Sequence, residues 1–253
     1  MTGSRSGSTS TSSRRRAAGA LRPKKRFGQH FLSDVNILRR IVDAAEIAPS
    51  DAVLEVGPGL GALTAVLAER AQRVVAVEVD RDLVAVLRER FAGTPHVAIV
   101  EADVLEHSPS ELLQTGGADA PYVVVANLPY NIAAPVLRRF LESDVRPSRL
   151  VVMVQLEVAE AIVAKPKAMS LMSVATQVYG DTQMVMKVAP GAFAPPPKVQ
   201  SAVVRIDVLP SPRVDVPLDA FFRIVRPASA IRASNCGTAS PSGSMSSRKS
   251  STR

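Results

Sequence analysis

The segment Asp51-Ala-Val-Leu-Glu-Val-Gly-Pro-Gly-Leu-Gly-Ala-Leu-Thr64 decides how the chain reads. A short apolar run leads into a glycine-rich turn, and a helical pattern continues to about Ala71. That is a strand, a tight turn and a helix. Glycines there let the backbone take positive φ and approach a ligand closely. The full Gly-x-Gly-x-x-Gly fingerprint of dinucleotide folds would need glycine at Ala62 or at Thr64, so a nicotinamide cofactor is disfavoured.

The pattern repeats on both sides of this segment. Upstream, Ile37, Ile41, Val42 and Ala45 recur at helical spacing between Asn36 and Ile47, with Asp34 as the predicted N-cap. Downstream, apolar runs predict strands at Arg73–Val79, His96–Val100, Tyr122–Ala126 and Leu150–Val154. A helix is expected through Leu83, Val84, Val86 and Leu87, another between Tyr130 and Leu150, and a third from Glu157 to Val163. A last strand pair is expected near Gln183–Val188 and Ala202–Val208. Strands alternating with helices predict an α/β fold: a mostly parallel, doubly wound, Rossmann-like sheet. Ligands of such sheets sit beyond the carboxyl ends of the strands.

Composition narrows the function classes. The 253 residues are 46% hydrophobic and 21% charged, a globular balance. A single cysteine, Cys236, excludes an intramolecular disulfide, and the three scattered histidines, His30, His96 and His107, do not suggest a metal cluster. No apolar run approaches the roughly 20 residues of a membrane span, and no signal peptide is visible. A cytoplasmic protein without membrane association is expected. The net charge of +8 is uneven. Residues 1–26 hold eight Lys/Arg and residues 227–253 hold four, with no acid in either. The 200 residues between them hold 19 basic and 23 acidic residues. Basic ends suggest a polyanionic partner such as nucleic acid, or only a solvated tail. Residues 1–21 are expected to form a disordered basic tail; an organelle transit peptide has similar composition.

Three groups at strand ends carry candidate chemistry. Glu78 closes the second strand about 20 residues beyond the glycine turn, where a carboxylate grips ribose hydroxyls in dinucleotide folds. Asp103 follows the third strand and can accept from the exocyclic amine of an adenine. Asn127-Leu-Pro-Tyr130 follows the fourth. The exocyclic amine of adenine or cytosine is a poor nucleophile, because its lone pair is delocalised into the ring. The Asn127 amide oxygen and the Leu128 backbone carbonyl can each accept one of its N–H groups and turn the lone pair outward. Pro129 fixes the turn and has no N–H to compete. Tyr130 offers a ring on which a flipped base can stack.

The Glu-x-Gly-x-Gly-x-Gly form resembles the S-adenosylmethionine loop of class I methyltransferases. The longer motifs closely resemble the rRNA adenine N6-dimethyltransferases of the KsgA type. These are Lys25-Arg-Phe-Gly-Gln-His-Phe-Leu32, Leu54-Glu-Val-Gly-Pro-Gly-Leu-Gly-Ala-Leu-Thr64, Asn127-Leu-Pro-Tyr-Asn-Ile132, Met153-Val-Gln-Leu-Glu-Val-Ala-Glu160 and Phe193-Ala-Pro-Pro-Pro-Lys-Val-Gln-Ser-Ala-Val-Val-Arg205. The resemblance covers residues 22–226. It implies a methyltransferase domain over residues 22–208 and the start of a helical C-terminal domain over residues 209–226. It implies S-adenosylmethionine contacts at His30, Leu32, Gly57, Gly59, Glu78, Asp103 and Asn127, with catalysis at Asn127, Leu128, Pro129 and Tyr130 and no metal. The implied reaction is direct methyl transfer, twice to each of two adjacent adenines of 16S rRNA within the small ribosomal subunit, by a monomer. An Erm-type enzyme acting on 23S rRNA and a non-catalytic RNA-binding relative are the rival readings.

One stretch departs from the family. After Phe-Phe-Arg-x-Val-Arg226 the family continues with Arg-Lys-Gln/Thr-Leu/Ile-Arg-Asn and a helical domain. Here Pro227 opens a Ser-, Ala- and Arg-rich stretch without helical period. Back-translate residues 226–238 and let each new codon take the last base of one codon and the first two of the next. One permitted codon choice per step then gives Ala-Gly-Phe-Ser-His-Pro-Arg-Lys-Gln-Leu-Arg-Asn. Residues 227–253 are therefore expected to be a frame-shifted, disordered tail.

Overall fold

The computed structural model describes residues 30–225. The expectations for residues 1–21, for the first part of the Lys25–Leu32 motif and for residues 227–253 lie outside the described residues. Two units are distinguished, residues 1–213 and residues 214–253.

In the first unit, a seven-stranded sheet is built from β2 (Ala52–Val56), β3 (Arg73–Glu78), β4 (Val97–Glu101), β5 (Tyr122–Asn127), β6 (Arg149–Gln155), β7 (Gly180–Val188) and β9 (Ser201–Val208). Its order is β4-β3-β2-β5-β6-β9-β7. The five strands from β4 to β6 are parallel, and β9 runs antiparallel between β6 and the edge strand β7. The chain first winds outward from β2 to β4, then returns to lay β5 on the other side of β2. The direction of winding reverses between β2 and β5, where open α/β sheets bind ligands. The parallel strands are nearly all apolar because both faces are covered; Val53, Leu54, Val124, Val125, Val151 and Val152 are fully buried.

The helices are α1 (Val35–Ala45), α2 (Ala62–Ala68), α3 (Arg81–Arg90), α4 (Pro109–Thr115), α5 (Ala133–Leu141), α6 (Leu156–Ile162) and α7 (Leu171–Gln177). Asp34 caps α1 as predicted, its carboxylate accepting from the N–H groups of Asn36 and Ile37. The other end of α1 is held from the sheet. Arg149 and Arg205 donate to the carbonyls of Ala45 and Ala44 at 2.8 and 3.2 Å, and both pair with Glu46 and Asp207. These carbonyls have no partner within the helix.

The sequence reading missed four elements. Helix α4 was signalled by its capping box, in which Ser108 and Glu111 satisfy each other's backbone N–H groups. Helix α7 has a Ser170–Ser173 version of the same device. Strands β1 (Phe31–Leu32) and β8 (Phe193–Ala194) form a separate two-stranded antiparallel ribbon, Phe31 opposite Ala194 and Leu32 opposite Phe193. Two residues are too few for periodicity to show. Helix α2 also stops at Ala68, three residues short of the expected end.

In the second unit, residues 218–225 are helical, and the rings of Phe221 and Phe222 meet edge to face at 5.3 Å.

Candidate active site

The strand ends converge on one cavity of 560 Å³. Its lining includes all ten residues singled out from the sequence: His30, Leu32, Gly57, Gly59, Glu78, Asp103, Asn127, Leu128, Pro129 and Tyr130. Residues 97 positions apart in the chain, such as His30 and Asn127, meet there.

The glycine turn forms the floor. Gly57, Gly59 and Gly61 all have positive φ, at 66°, 58° and 79°. A Cβ on Gly59 would lie 3.0 Å from the Phe31 ring, and one on Gly61 would lie 2.7 Å from Phe91 and 2.8 Å from Leu87. Both backbone conformation and crowding therefore demand glycine at these two positions.

Glu78 is buried at the end of β3. Its Oε1 accepts the N–H groups of Val79 and Asp80, each at 3.0 Å, and its Oε2 accepts that of Gly59 at 3.3 Å. The carboxylate thus ties β3 to the glycine turn. Burial raises its pKa from the ordinary glutamate value, and the three N–H donors work in the opposite direction. Asp103 uses Oδ1 to accept from the Leu105 N–H at 2.9 Å, which fixes the carboxyl group at the cavity wall.

Asn127 ends β5. Its amide nitrogen donates to the carbonyl of His30 at 3.2 Å. A carbonyl can only accept, so this bond fixes which end of the amide faces His30 and leaves the amide oxygen as a free-standing acceptor. Leu128 follows with its side chain buried and its N–H donated to Met153 at 3.1 Å, which anchors the turn to β6. The Tyr130 ring lies against that of His30, centroids 5.8 Å apart and planes inclined by 28°. Its hydroxyl is 2.8 Å from Ser201 Oγ. His30 is itself fixed by its Nδ1, which donates to the Pro195 carbonyl at 2.8 Å.

The sequence reading quoted Glu55 within the glycine motif but gave it no role. It lines the cavity and is almost wholly buried, at 1% exposure. Its Oε2 and the Thr64 Oγ1 are buried near each other without a well-formed hydrogen bond. Burial pushes its pKa up to about 8. Such a carboxyl is protonated at neutral pH until a cation reaches it. The first position of the Glu-x-Gly-x-Gly-x-Gly motif was the available signal. Ser201 was also missed, because a serine at a strand start carries no signal of its own.

These residues fit S-adenosylmethionine. The buried Glu55 carboxyl, neutral until a cation approaches, can ionise against one, and the cofactor carries an ammonium and a sulfonium. Glu78 and Asp103 offer acceptors for hydroxyl and amine groups. The glycine turn leaves room for close backbone approach.

The description "Ribosomal RNA adenine dimethylase" belongs to the family that matches residues 20–240. The chain belongs to this family. It is 47% identical over 208 residues to ribosomal RNA small subunit methyltransferase A of Dehalococcoides mccartyi (strain CBDB1), covering 81% of this chain and 70% of that one. The same-named protein of Parasynechococcus marenigrum (strain WH8102) is 50% identical over 209 residues, covering 79% and 68%. Among solved structures, the 23S rRNA methyltransferase ErmE superposes with a TM-score of 0.67 at 31% identity, covering 82% of this chain and 80% of that one. A dimethyladenosine transferase from Plasmodium falciparum gives 0.70 at 26% identity, covering 79% and 71%. The expected Rossmann-like methyltransferase fold is thereby established. Of the two enzyme readings, the small-subunit type has markedly higher identity than the Erm type.

Among the described residues no helix is long and apolar enough to cross a membrane, and no group of three or more His, Cys, Asp and Glu is placed to hold a metal ion.

Proposed function

We propose that this chain transfers methyl groups from S-adenosylmethionine to N6 of two adjacent adenines in the 3′-terminal hairpin of 16S rRNA, in the cytoplasm, during small-subunit biogenesis. The observation that carries this reading is the Asn127 amide. Its nitrogen is committed to His30, so its oxygen is presented to an incoming amine.

An adenine N6 amine has two N–H donors and a lone pair drawn into the ring. The Asn127 oxygen accepts one N–H and the Leu128 carbonyl accepts the other. Held this way, the nitrogen moves toward tetrahedral geometry and its lone pair is aimed at the methyl group. Each transfer would break the methyl–sulfur bond, leave a neutral thioether and release one N6 proton to solvent, so the second methylation proceeds with the one remaining N–H held by a single acceptor. Bound S-adenosylmethionine supplies an electrophilic methyl on a sulfonium. Glu55, Glu78, Asp103 and the turn at Gly57 and Gly59 would hold it, with His30 and Leu32 closing the near side. Tyr130 provides the platform for the flipped base. No covalent intermediate on the enzyme is required; catalysis is positioning and hydrogen bonding.

Identities of 47% and 50% to small-subunit methyltransferases, against 31% to ErmE, support 16S over 23S rRNA. The test is incubation of the chain with S-adenosylmethionine and undermethylated small subunits, followed by mapping of modified adenines. Dimethylation of an adjacent adenine pair is the expected result. Modification of 23S rRNA alone would overturn the reading in favour of the Erm type.

A further inference from the structure

We propose that Ser201 is a positioning residue for the target base, acting through the hydroxyl of Tyr130. The inference rests on the reading of Tyr130 as the base platform.

Three observations combine. Ser201 is fully buried, yet its Oγ reaches the wall of the active-site cavity by a 2.8 Å bond to the Tyr130 hydroxyl. It is the first residue of β9, paired with Gln155 of β6 on one side and Val188 of β7 on the other. A strand flanked on both edges is among the least movable parts of such a fold. Tyr130, in contrast, is only half-buried and sits on an irregular turn after β5. Its ring meets His30 on one face, a contact that limits its tilt but leaves it free to slide.

A stacking platform works only if its plane is fixed. Stacking energy is broad in direction, so the base follows the ring, and the ring must be held by something else. A tyrosine ring on a turn is held at the Cα end by the backbone. Fixing the hydroxyl at the far end fixes the direction of the ring's long axis, while the His30 face limits rotation about that axis. Ser201 supplies that second anchor from the sheet. Phenylalanine would stack equally well but could not be anchored, which gives the hydroxyl a purpose beyond burial. The tether also couples the two ends of the site: β9 sets the base platform, while β5 sets the Asn127 oxygen that receives the amine.

The experiment measures methyl transfer to undermethylated small subunits by the native chain and by Ser201→Ala, Tyr130→Phe and the double variant. S-adenosylmethionine binding and thermal unfolding are followed in parallel. Either single substitution is expected to lower kcat/KM for the subunit by about 10- to 100-fold, the scale of a misplaced reacting group. Cofactor affinity should stay within about twofold, since neither hydroxyl is assigned to the cofactor. The double variant should be no worse than the worse single variant, because both remove one and the same bond. Ser201→Thr, which keeps a hydroxyl, should recover most of the loss.

Multiplying effects in the double variant, or a Ser201→Ala enzyme with native kcat/KM, would overturn the proposal. If Ser201→Ala fails to fold, Tyr130→Phe decides: it removes the same bond from the accessible side, and native kcat/KM there ends the idea. Absence of any transfer by the native chain would overturn the functional reading and this proposal together. Native transfer with indifferent variants overturns this proposal alone.

Discussion

The amide nitrogen of Asn127 donates to the backbone carbonyl of His30 at 3.2 Å, across 97 residues of chain. This bond joins the end of β5 to the ribbon that begins at Phe31. It makes the orientation of this amide a property of the fold, set before any ligand arrives. Replacing Asn127 by Ala should leave the fold intact, since the side chain is half-buried at a strand end. Methyl transfer should fall by about 10²-fold or more, the usual scale for losing a positioned transition-state contact. Asn127→Asp retains an acceptor but places a carboxylate oxygen against the His30 carbonyl, and it should also be impaired. Single-turnover transfer by either variant at the native rate would remove Asn127 from its role.

Glu78 ties the end of β3 to the glycine turn. Its carboxylate accepts three backbone N–H groups, including that of Gly59. Glu78→Ala should weaken S-adenosylmethionine binding by about 1.5–3 kcal/mol, the range for hydrogen bonds to a charged group. Calorimetric titration checks this directly, and unchanged affinity would exclude Glu78 from the cofactor site.

How much of this was legible in the sequence depends on what each residue's signal is. The parallel strands were readable because burial on both faces forces continuous apolar runs such as Val74–Val77. The glycine turn, Glu78, Asp103 and Asn127–Tyr130 were readable because each sits at a strand end, where a parallel sheet gathers its ligands. The β1–β8 ribbon was not, because two-residue strands have no period. The contact of His30 with Asn127 was not, because backbone carbonyls leave no trace in composition. Ser201 lies in a motif shared with the family, but nothing local to it points to Tyr130.

The reading of residues 227–253 as frame-shifted makes a prediction at the level of the gene. In each shifted codon the second and third bases are the first two bases of the following codon, so only the first base depends on codon choice, except where serine or arginine, each with two codon families, adds some freedom. A twelve-residue run ending in Arg-Lys-Gln-Leu-Arg-Asn is therefore strongly constrained by residues 226–238. Sequencing the gene should show family-like coding in the alternative frame from this point. Independent reads that confirm the present frame, with no family-like sequence in the other, would end the idea.

Gly61 should be intolerant of alanine. Its φ is 79°, where an L side chain is strained, and an added Cβ would meet Phe91 at 2.7 Å and Leu87 at 2.8 Å. Backbone strain of this kind costs on the order of 1–3 kcal/mol, before any repacking of the two side chains. Gly61→Ala should lower the unfolding midpoint clearly. Gly57→Ala should cost less, because the nearest atom to its added Cβ is the Pro129 Cδ at 3.9 Å and only the φ of 66° opposes it. Equal midpoints for the two variants would show that crowding at Phe91 does not matter.

Glu55 should make the ligand-free protein less stable as pH rises. Below about pH 4.5, its ordinary value, the carboxyl is protonated in both folded and unfolded chains. Between there and about 8, the unfolded chain gives up the proton while the buried carboxyl keeps it. The unfolded state then binds fewer protons than the folded state, so stability declines with pH, by about 1.4 kcal/mol per unit for one proton. Above about 8 the folded protein also ionises and the decline levels off. Glu55→Gln cannot ionise and lacks this contribution, though other groups still titrate in both proteins. The difference in unfolding free energy between the two should therefore move in favour of Gln across this window. Chemical unfolding at about pH 5.5 and about pH 8, without cofactor, measures it. Parallel pH dependences would mean that Glu55 is already ionised in the empty site. Saturating S-adenosylmethionine should flatten the native slope, because a bound cation stabilises the carboxylate that burial disfavours.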